Sequence, residues 1–112
     1  MKIELNPYRF DELQLKILEE IMISIKEGLQ IAGVVDKKNL YDSTAEIAFS
    51  IATIIDGSRI MELDGKPVVP FLAFAKEQSS DELVAAEGGS WMHEYVFGLV
   101  DEIFSPEIEN QT

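Results

Sequence analysis

A chain of 112 residues suits one compact domain, and a composition of 46% apolar and 27% charged residues is typical of a globular protein, so we expect a single domain over residues 1–112. The chain has no cysteine, which excludes disulfides, thiolate metal sites and a cysteine nucleophile. Its formal net charge of −12 repels phosphates, so we expect neither nucleic acid nor a membrane surface as a partner.

The amino-terminal segment does not resemble an export signal. Glu4, Asp11 and Glu12 interrupt it where a signal peptide has an apolar stretch. No part of the chain approaches the roughly 18 consecutive apolar residues of a transmembrane helix. We therefore expect a cytoplasmic protein.

The first predicted helix begins at Asn6 and Pro7, which are typical of an N-cap and a first helical position. It continues for about 25 residues to Ala32, with Gly33 as the left-handed residue after its end. Its apolar residues recur every three or four positions in two sets, Phe10, Leu13, Ile17, Ile21 and Ile25, and Leu15, Leu18, Met22 and Leu29. Because this stripe covers more than one face, other elements or another subunit must cover the helix on more than one side.

The second predicted helix has two possible starts, one capped by Asp36 and one capped by Ser43, which has Glu46 at capping-box spacing. It ends at Asp56 and Gly57. Most of its side chains are apolar or small, including Ala45, Ala48 and Ala52. We expect this helix to be central, because alanines let neighbouring elements approach closely.

A two-residue period follows, which predicts strands over residues 59–63 and 68–76. Asp64 and Gly65 between them are typical of a hairpin turn. Pro70 cannot donate a backbone hydrogen bond, so the second strand is expected at the edge of the sheet. Two strands alone rarely form a stable sheet, so we expect the helices to pack on this hairpin.

The last third is predicted to contain a short helical turn, a hinge and a final helix. Ser79 and Glu82 have capping-box spacing and predict the turn, which the glycine pair at 88–89 ends as a hinge. Ser90 then caps a final helix, which a Ser-Pro pair stops at the start of a frayed tail over residues 105–112.

Together these elements predict an α+β fold, in which three main helices pack on a small antiparallel β-hairpin sheet in the order α-α-β-β-(short α)-α. We also expect a homodimer, because the hairpin has two open edges and the first helix is apolar over more than one face. The interface would use the strand over residues 59–63, or a helical face that includes Leu15, Leu18 and Met22.

Acidic charge is concentrated in the carboxyl-terminal third. Every Lys and Arg lies at or before Lys76, and the last 36 residues contain nine acidic residues and no base. One interpretation is a solvated face that keeps the protein soluble. The other is a docking surface for a basic protein partner, to which Glu87, Glu94, Asp101 and Glu102 would contribute.

His93 is the only histidine, which makes it the first candidate for acid–base chemistry. No carboxylate lies three or four positions from it on the predicted helix, so a partner must come from another element. We expect a structural or surface histidine rather than a catalytic or metal-binding one, because it lacks the pattern of a base with an orienting group. Trp91 is expected in the core, with an exposed anchor for a partner as the alternative.

Asp42 and Glu46 lie four positions apart and place two carboxylates on one face of the second helix. Such a pair would suit a divalent metal or an acid–base pair. An ion pair between Asp42 and Lys38, together with the capping box at Glu46, accounts for both residues without a metal, and we expect no metal here.

These observations favour association with a protein partner, as an inhibitor, an immunity-type protein or an adaptor, without a cofactor. Binding is expected over catalysis, because the chain contains no catalytic constellation. The alternative is a small enzyme or ligand-binding protein with a pocket near His93, Trp91 and Asp56.

Overall fold

The computed structural model describes residues 2–78 and 81–109, and its helices and small mixed sheet confirm an α+β fold. In chain order the elements are β1 (Lys2–Leu5), α1 (Pro7–Ile31), α2 (Lys37–Ile55), β2 (Met61–Leu63), β3 (Lys66–Val68), β4 (Phe74–Ala75), β5 (Glu82–Ala85), a 3₁₀ turn (Met92–Tyr95) and α3 (Val96–Glu109). This order differs from the predicted one at β1, β4 and β5. Within the described residues, no helix is long and apolar enough to cross a membrane.

α1 has the predicted boundaries. The side chain of Asn6 accepts a hydrogen bond from the backbone N–H of Arg9 at 3.1 Å, and Pro7 is the first helical residue. At the other end Gly33 has a φ of 99°, and the N–H groups of Gly33 and Val34 donate to carbonyls of the last turn. Glycine suits this position because a positive φ strains residues that have a Cβ atom.

α2 begins at the earlier of its two predicted starts. The carboxylate of Asp36 accepts a hydrogen bond from the N–H of Asn39 at 2.9 Å, and this cap starts the helix about two turns before Ser43. The residues after its end are Asp56 and Gly57, as predicted. Its buried alanines, Ala45, Ala48 and Ala52, allow α1 and α3 to pack against it, which confirms its central position.

The larger sheet has three strands in the order β1-β5-β4. β5 pairs in parallel with β1 and antiparallel with β4, so it is the central strand. The predicted helical turn is wrong because Glu82 begins β5, while Ser79 lies outside the described residues. The segment before Gly88 is too short to stabilise a helix, whereas strands on both sides bond its backbone groups.

β2 and β3 form the predicted hairpin, with positive φ angles at Asp64 (53°) and Gly65 (75°) in its turn. The expected packing of the helices on it is wrong, because the hairpin is a separate two-stranded sheet whose side chains are mostly exposed. The predicted second strand is divided, since Val68 ends β3 and Phe74 begins β4 in the other sheet. Pro70, which lies between them, lacks the N–H that would continue the ladder.

The final helix starts later than predicted. The 3₁₀ turn follows Ser90, and α3 begins at Val96. The hydroxyl of Ser90 accepts a hydrogen bond at 3.2 Å from the N–H of Met92, the first residue of the 3₁₀ turn, so it does not cap α3.

The end of α3 also differs from the prediction. The helix continues through Pro106 to Glu109, so the predicted stop and the frayed tail are wrong for residues 105–109. Pro106 cannot donate to the carbonyl of Glu102, but a helix tolerates this loss in its last turns, where carbonyls lack helical partners in any case. The rest of the predicted tail, residues 110–112, lies outside the described residues.

The core lies between the three helices and the 3₁₀ turn. Its buried residues are Leu18, Met22, Leu40, Ala45, Ala48, Ala52, Met92, Val96, Val100 and Phe104. Leu18 and Met22 are fully buried within the monomer, so the predicted dimer face that includes them is wrong. They face inward because α1 uses this part of its apolar stripe to pack against α2 and α3.

Candidate functional site

His93 is positioned by Asp56, which follows the end of α2. The backbone N–H of His93 donates to Asp56 Oδ2 at 3.1 Å, and Nδ1 of its ring hydrogen-bonds the same oxygen. The Asp56 side chain is fully buried, whereas 23% of the His93 side chain is exposed. The partner that had to come from another element is therefore Asp56, and it fixes the orientation of the imidazole ring.

The carboxylate of Asp56 is ionised at neutral pH. Burial alone raises the pKa of Asp56, but hydrogen bonds from His93 and Ser58 outweigh burial and hold the pKa below its ordinary value. An ionised carboxylate accepts a proton from Nδ1, and an imidazole ring that carries its single proton on Nδ1 has its lone pair on Nε2. This is the arrangement of a general base.

Ser58 does not complete a nucleophilic triad with this pair. Its Oγ lies 3.2 Å from Nδ1 of His93, the same nitrogen that Asp56 holds. A serine nucleophile gives its proton to Nε2 while the acid holds Nδ1. The backbone N–H of Ser58 instead donates to Asp56 Oδ1 at 3.0 Å, so Ser58 helps to hold the carboxylate.

Aromatic rings surround His93 at the surface, and we name Phe49, Trp91 and Phe97 the aromatic patch. Between ring centroids, His93 lies 5.8 Å from Phe49 and 6.4 Å from Trp91, and Phe49 lies 5.8 Å from Phe97. Trp91 is 53% exposed, so its expected place in the core is wrong; the neighbouring Met92 is fully buried and occupies the core position. Clustered exposed rings mark contact surfaces.

Asp42 and Glu46 remain on the surface of α2. Lys38 Nζ lies 3.1 Å from Asp42 Oδ2, which is the predicted ion pair. Glu46 is exposed and does not form a capping box, because the helix begins at the earlier start. Over residues 2–78 and 81–109, no group of three or more His, Cys, Asp or Glu residues could hold a metal ion.

The four predicted docking residues do not share one surface. Glu94 and Glu102 line a groove between α1 and α3. Asp101 lies on another side of α3, where it accepts a hydrogen bond from the hydroxyl of Tyr41 and thereby raises the pKa of Tyr41. Glu87 is exposed in the loop after β5. Successive residues of a helix point about 100° apart, which separates Asp101 from Glu102.

This α1–α3 groove consists of two adjoining hollows of about 470 and 510 Å³, which share Glu19, Leu99 and Glu102. Its apolar lining residues are half-buried and form a floor, Leu15, Ile23, Leu99 and Ile103. Its carboxylates form a rim above that floor, Glu12, Glu19, Glu27, Glu94 and Glu102.

Two lysines lie among these carboxylates. Lys16 Nζ is 3.5 Å from Glu19 and 3.2 Å from Glu20, so its charge is already paired on α1. Lys26 Nζ lies 4.5 Å from the ring centroid of Phe104. Five carboxylates against two ammonium groups leave the groove negative.

The α1 side of this groove was missed in the sequence. Glu12, Glu19 and Glu27 are seven and eight positions apart, a spacing that places them on one face of a helix. That spacing could have identified the three glutamates as one acidic face of α1, but it does not show which element packs beside that face.

Comparison of the chain with models of protein families, with curated proteins and with solved structures found no match. The geometry of the molecule therefore carries the functional conclusion. It offers the α1–α3 groove and the aromatic patch around His93 as candidate surfaces.

Proposed function

We propose that the protein acts by association with a more basic protein, as an inhibitor, an immunity-type protein or an adaptor, and that the α1–α3 groove receives a basic amphipathic helix of this partner. The observation that carries the proposal is an apolar floor between two helices with five carboxylates on its rim. A groove between helices suits a third helix, because apolar side chains of that helix fill the floor.

The length of the groove supports a helical occupant. From Glu12 to Gln30, two of its lining residues, α1 rises by about 27 Å at 1.5 Å per residue. A partner helix of about 18 residues spans this length. Exposed ion pairs contribute less than about 1 kcal/mol each, so apolar burial supplies most of the affinity, while charge selects the partner and speeds association.

This role requires neither catalysis nor a cofactor or metal. A net charge of −12 favours a basic protein over a nucleic acid or an anionic membrane, because both of these carry charge of the same sign as the chain. The cytoplasmic location expected from the sequence remains part of the proposal.

A synthetic helix of about 18 residues, with leucine on one face and lysine on the other, tests the proposal by titration calorimetry. We expect it to bind the wild-type protein. We expect the double variant Glu94→Lys/Glu102→Lys to bind it at least tenfold more weakly, because both groove carboxylates then repel lysine. A matched peptide with glutamate in place of lysine is expected not to bind.

The control variant Glu46→Lys/Glu62→Lys makes the same change in net charge at exposed positions outside the groove. We expect it to bind the basic peptide within about twofold of the wild-type affinity, because distant charges are screened. Equal losses in the two double variants would mean that net charge alone governs binding, and the groove proposal would then be wrong.

We also propose a homodimer that forms through the α1–α2 hollow, a depression of about 350 Å³ lined by Ile17, Glu20, Ile21, Ser24, Ile25 and Ile51. A chain with net charge −12 associates with itself most readily where charge is lowest. Glu20 is the one carboxylate in this lining, and it pairs with Lys16 at 3.2 Å. The hollow therefore suits a second copy better than the acidic groove does.

The Asp56–His93 pair favours a second candidate function, a small enzyme or ligand-binding protein. A positioned general base accelerates proton transfer by roughly 10²–10⁴-fold. Hydrolysis of p-nitrophenyl acetate by the wild type and by His93→Gln distinguishes the two functions. The binding proposal expects equal rates in the two proteins, whereas a loss of about a hundredfold in a folded variant would favour the enzyme.

A further inference from the structure

A separate cavity lies between the start of α1 and the loop that precedes the 3₁₀ turn. Its volume is about 390 Å³, within the range of roughly 300–1,000 Å³ that is typical of small-ligand sites. Tyr8, Trp91 and Tyr95 contribute three accessible aromatic rings to its lining, and we name it the aromatic cavity. Its described lining residues include no Lys or Arg.

Asp11 places a fixed carboxylate in this lining. Asp11 Oδ1 accepts hydrogen bonds from Gln14 Nε2 at 2.6 Å and from the hydroxyl of Tyr95 at 2.9 Å. Gln14 is itself buried, and its Oε1 accepts a hydrogen bond from the hydroxyl of Ser90 at 3.0 Å. The network holds Asp11 through one oxygen, and no described residue hydrogen-bonds the other oxygen, Oδ2.

Aromatic rings beside a carboxylate recognise alkylammonium cations. The face of each ring is negative and attracts a cation, and the carboxylate supplies the opposite full charge. Asp11 repels an anion, and a neutral apolar ligand gains nothing from it. We infer that the aromatic cavity binds an alkylammonium cation, carried by a small quaternary ammonium compound or by a methylated lysine side chain.

This inference goes beyond the proposed function and does not depend on it. Tyr95 is the single residue that the described linings of the aromatic cavity and the α1–α3 groove share. A chain that fails to bind the basic helix can therefore still bind an ammonium ion. Trp91 is the only tryptophan, so its fluorescence and its indole N–H resonance report on this cavity directly.

Three probes test the inference: choline, its neutral counterpart 3,3-dimethylbutan-1-ol, and N-acetyl-trimethyllysine amide. We expect both cations to change Trp91 fluorescence and to shift its indole resonance, with at least tenfold weaker binding of the neutral alcohol. Tighter binding of the trimethyllysine derivative than of choline would assign the cavity to a protein side chain. Tighter binding of choline would assign it to a small compound, and equal binding would mean that the ammonium head is recognised alone.

Two cavity variants and one control complete the test. Asp11→Asn removes the charge and is expected to weaken choline binding at least tenfold, whereas Tyr8→Ala removes one ring and is expected to weaken it about threefold. Tyr8 is 85% exposed, so its removal leaves the core intact. Glu12→Gln makes the same charge change as Asp11→Asn next to the cavity and is expected to bind choline normally.

Three results would overturn the inference. The first is an unchanged Trp91 signal with both cations in the wild type. The second is equal binding of choline and the neutral alcohol, which would make the cavity merely apolar. The third is an equal loss in Asp11→Asn and Glu12→Gln, which would reduce binding to a general attraction of cations by an acidic surface.

Discussion

Two surfaces flank α1, the α1–α3 groove and the α1–α2 hollow, and they differ in charge. The α1–α3 groove has five carboxylates above an apolar floor, whereas the α1–α2 hollow is lined by isoleucines with one carboxylate. We propose a basic protein as the partner of the acidic side of this helix and a second copy as the partner of the apolar side. The two proposals therefore rest on how charge is distributed over the surface, rather than on the total of −12.

Ile21→Lys is expected to have the largest effect, because it places a charge in the α1–α2 hollow. We expect the dimer to weaken more than about 100-fold, which corresponds to about 2.7 kcal/mol, while binding of the basic helix is unchanged. Sedimentation equilibrium measures the dimer. Ser105→Lys adds the same charge at an exposed position of α3 and should leave it intact. A wild-type protein that is monomeric at micromolar concentration in both low and high salt would contradict the dimer.

Asp56→Asn tests whether the 3₁₀ turn shapes only one of the two surfaces. Asp56 holds His93, whose neighbours Glu94 and Tyr95 line the α1–α3 groove. We expect a loss of about 2 kcal/mol in the free energy of unfolding, because the variant loses hydrogen bonds to a buried charge. Urea unfolding measures this loss. Calorimetry should show weaker binding of the basic helix and no change in the dimer; the opposite pattern would contradict the comparison.

The same variant has a defined pH dependence. Hydrogen bonds hold the pKa of Asp56 below its ordinary value despite burial, so its stabilisation is complete above the ordinary pKa and is lost as pH falls through the folded value. We therefore expect the stability advantage of the wild type over Asp56→Asn to shrink below about pH 4. A constant advantage from neutral pH down to about pH 2 would contradict the pairing of Asp56 with His93.

Salt should act on the two surfaces in opposite directions. Raising NaCl from about 50 to about 500 mM shortens the screening length from roughly 14 to 4 Å. We expect this change to weaken binding of the basic helix to the groove about tenfold, because salt screens the attraction between them. We expect the same change to strengthen dimerisation a few-fold, because salt screens the repulsion between two acidic chains. Calorimetry and sedimentation at both salt concentrations measure the two effects. A shift in the same direction for both would remove the electrostatic distinction between the surfaces.

Thr44→Val is expected to have the smallest effect and to change neither surface. The Thr44 hydroxyl is buried, and no described residue hydrogen-bonds it. Replacing the hydroxyl with a methyl group of similar shape should raise the free energy of unfolding by about 1 kcal/mol, because the variant no longer buries a hydroxyl without a hydrogen-bond partner. Urea unfolding measures the gain. A loss of stability would mean that the hydroxyl has a partner in solution.

The boundaries of α1 and the hairpin turn were predictable because their signals are local. Asn6 caps α1 through the N–H of Arg9, three positions along, and Gly33 provides the positive φ after its end. The three-stranded sheet was not predictable in this way. Leu83 suits a helix or a strand, and its pairing with Ile3 of β1 comes from the other end of the sequence.

The candidate site was also predictable only in part. Residue types alone put Asp56 and His93 on the list of candidates, but their contact joins positions 37 apart and required the fold. Trp91 and Met92 are adjacent and both apolar, and the 3₁₀ turn decides which one is buried. The α1–α3 groove depends on how two helices pack, which local periodicity does not determine.

A map of backbone amide chemical shifts in the complex with the basic helix tests the central claim most directly. If the α1–α3 groove is the docking surface, the largest shifts fall on Leu15, Glu19, Leu99 and Glu102, and the α1–α2 hollow is unaffected. Shifts of similar size at the exposed acids outside the groove, Glu46, Glu62 and Glu87, would contradict the claim, because they would show that the peptide binds acidic charge wherever it is exposed.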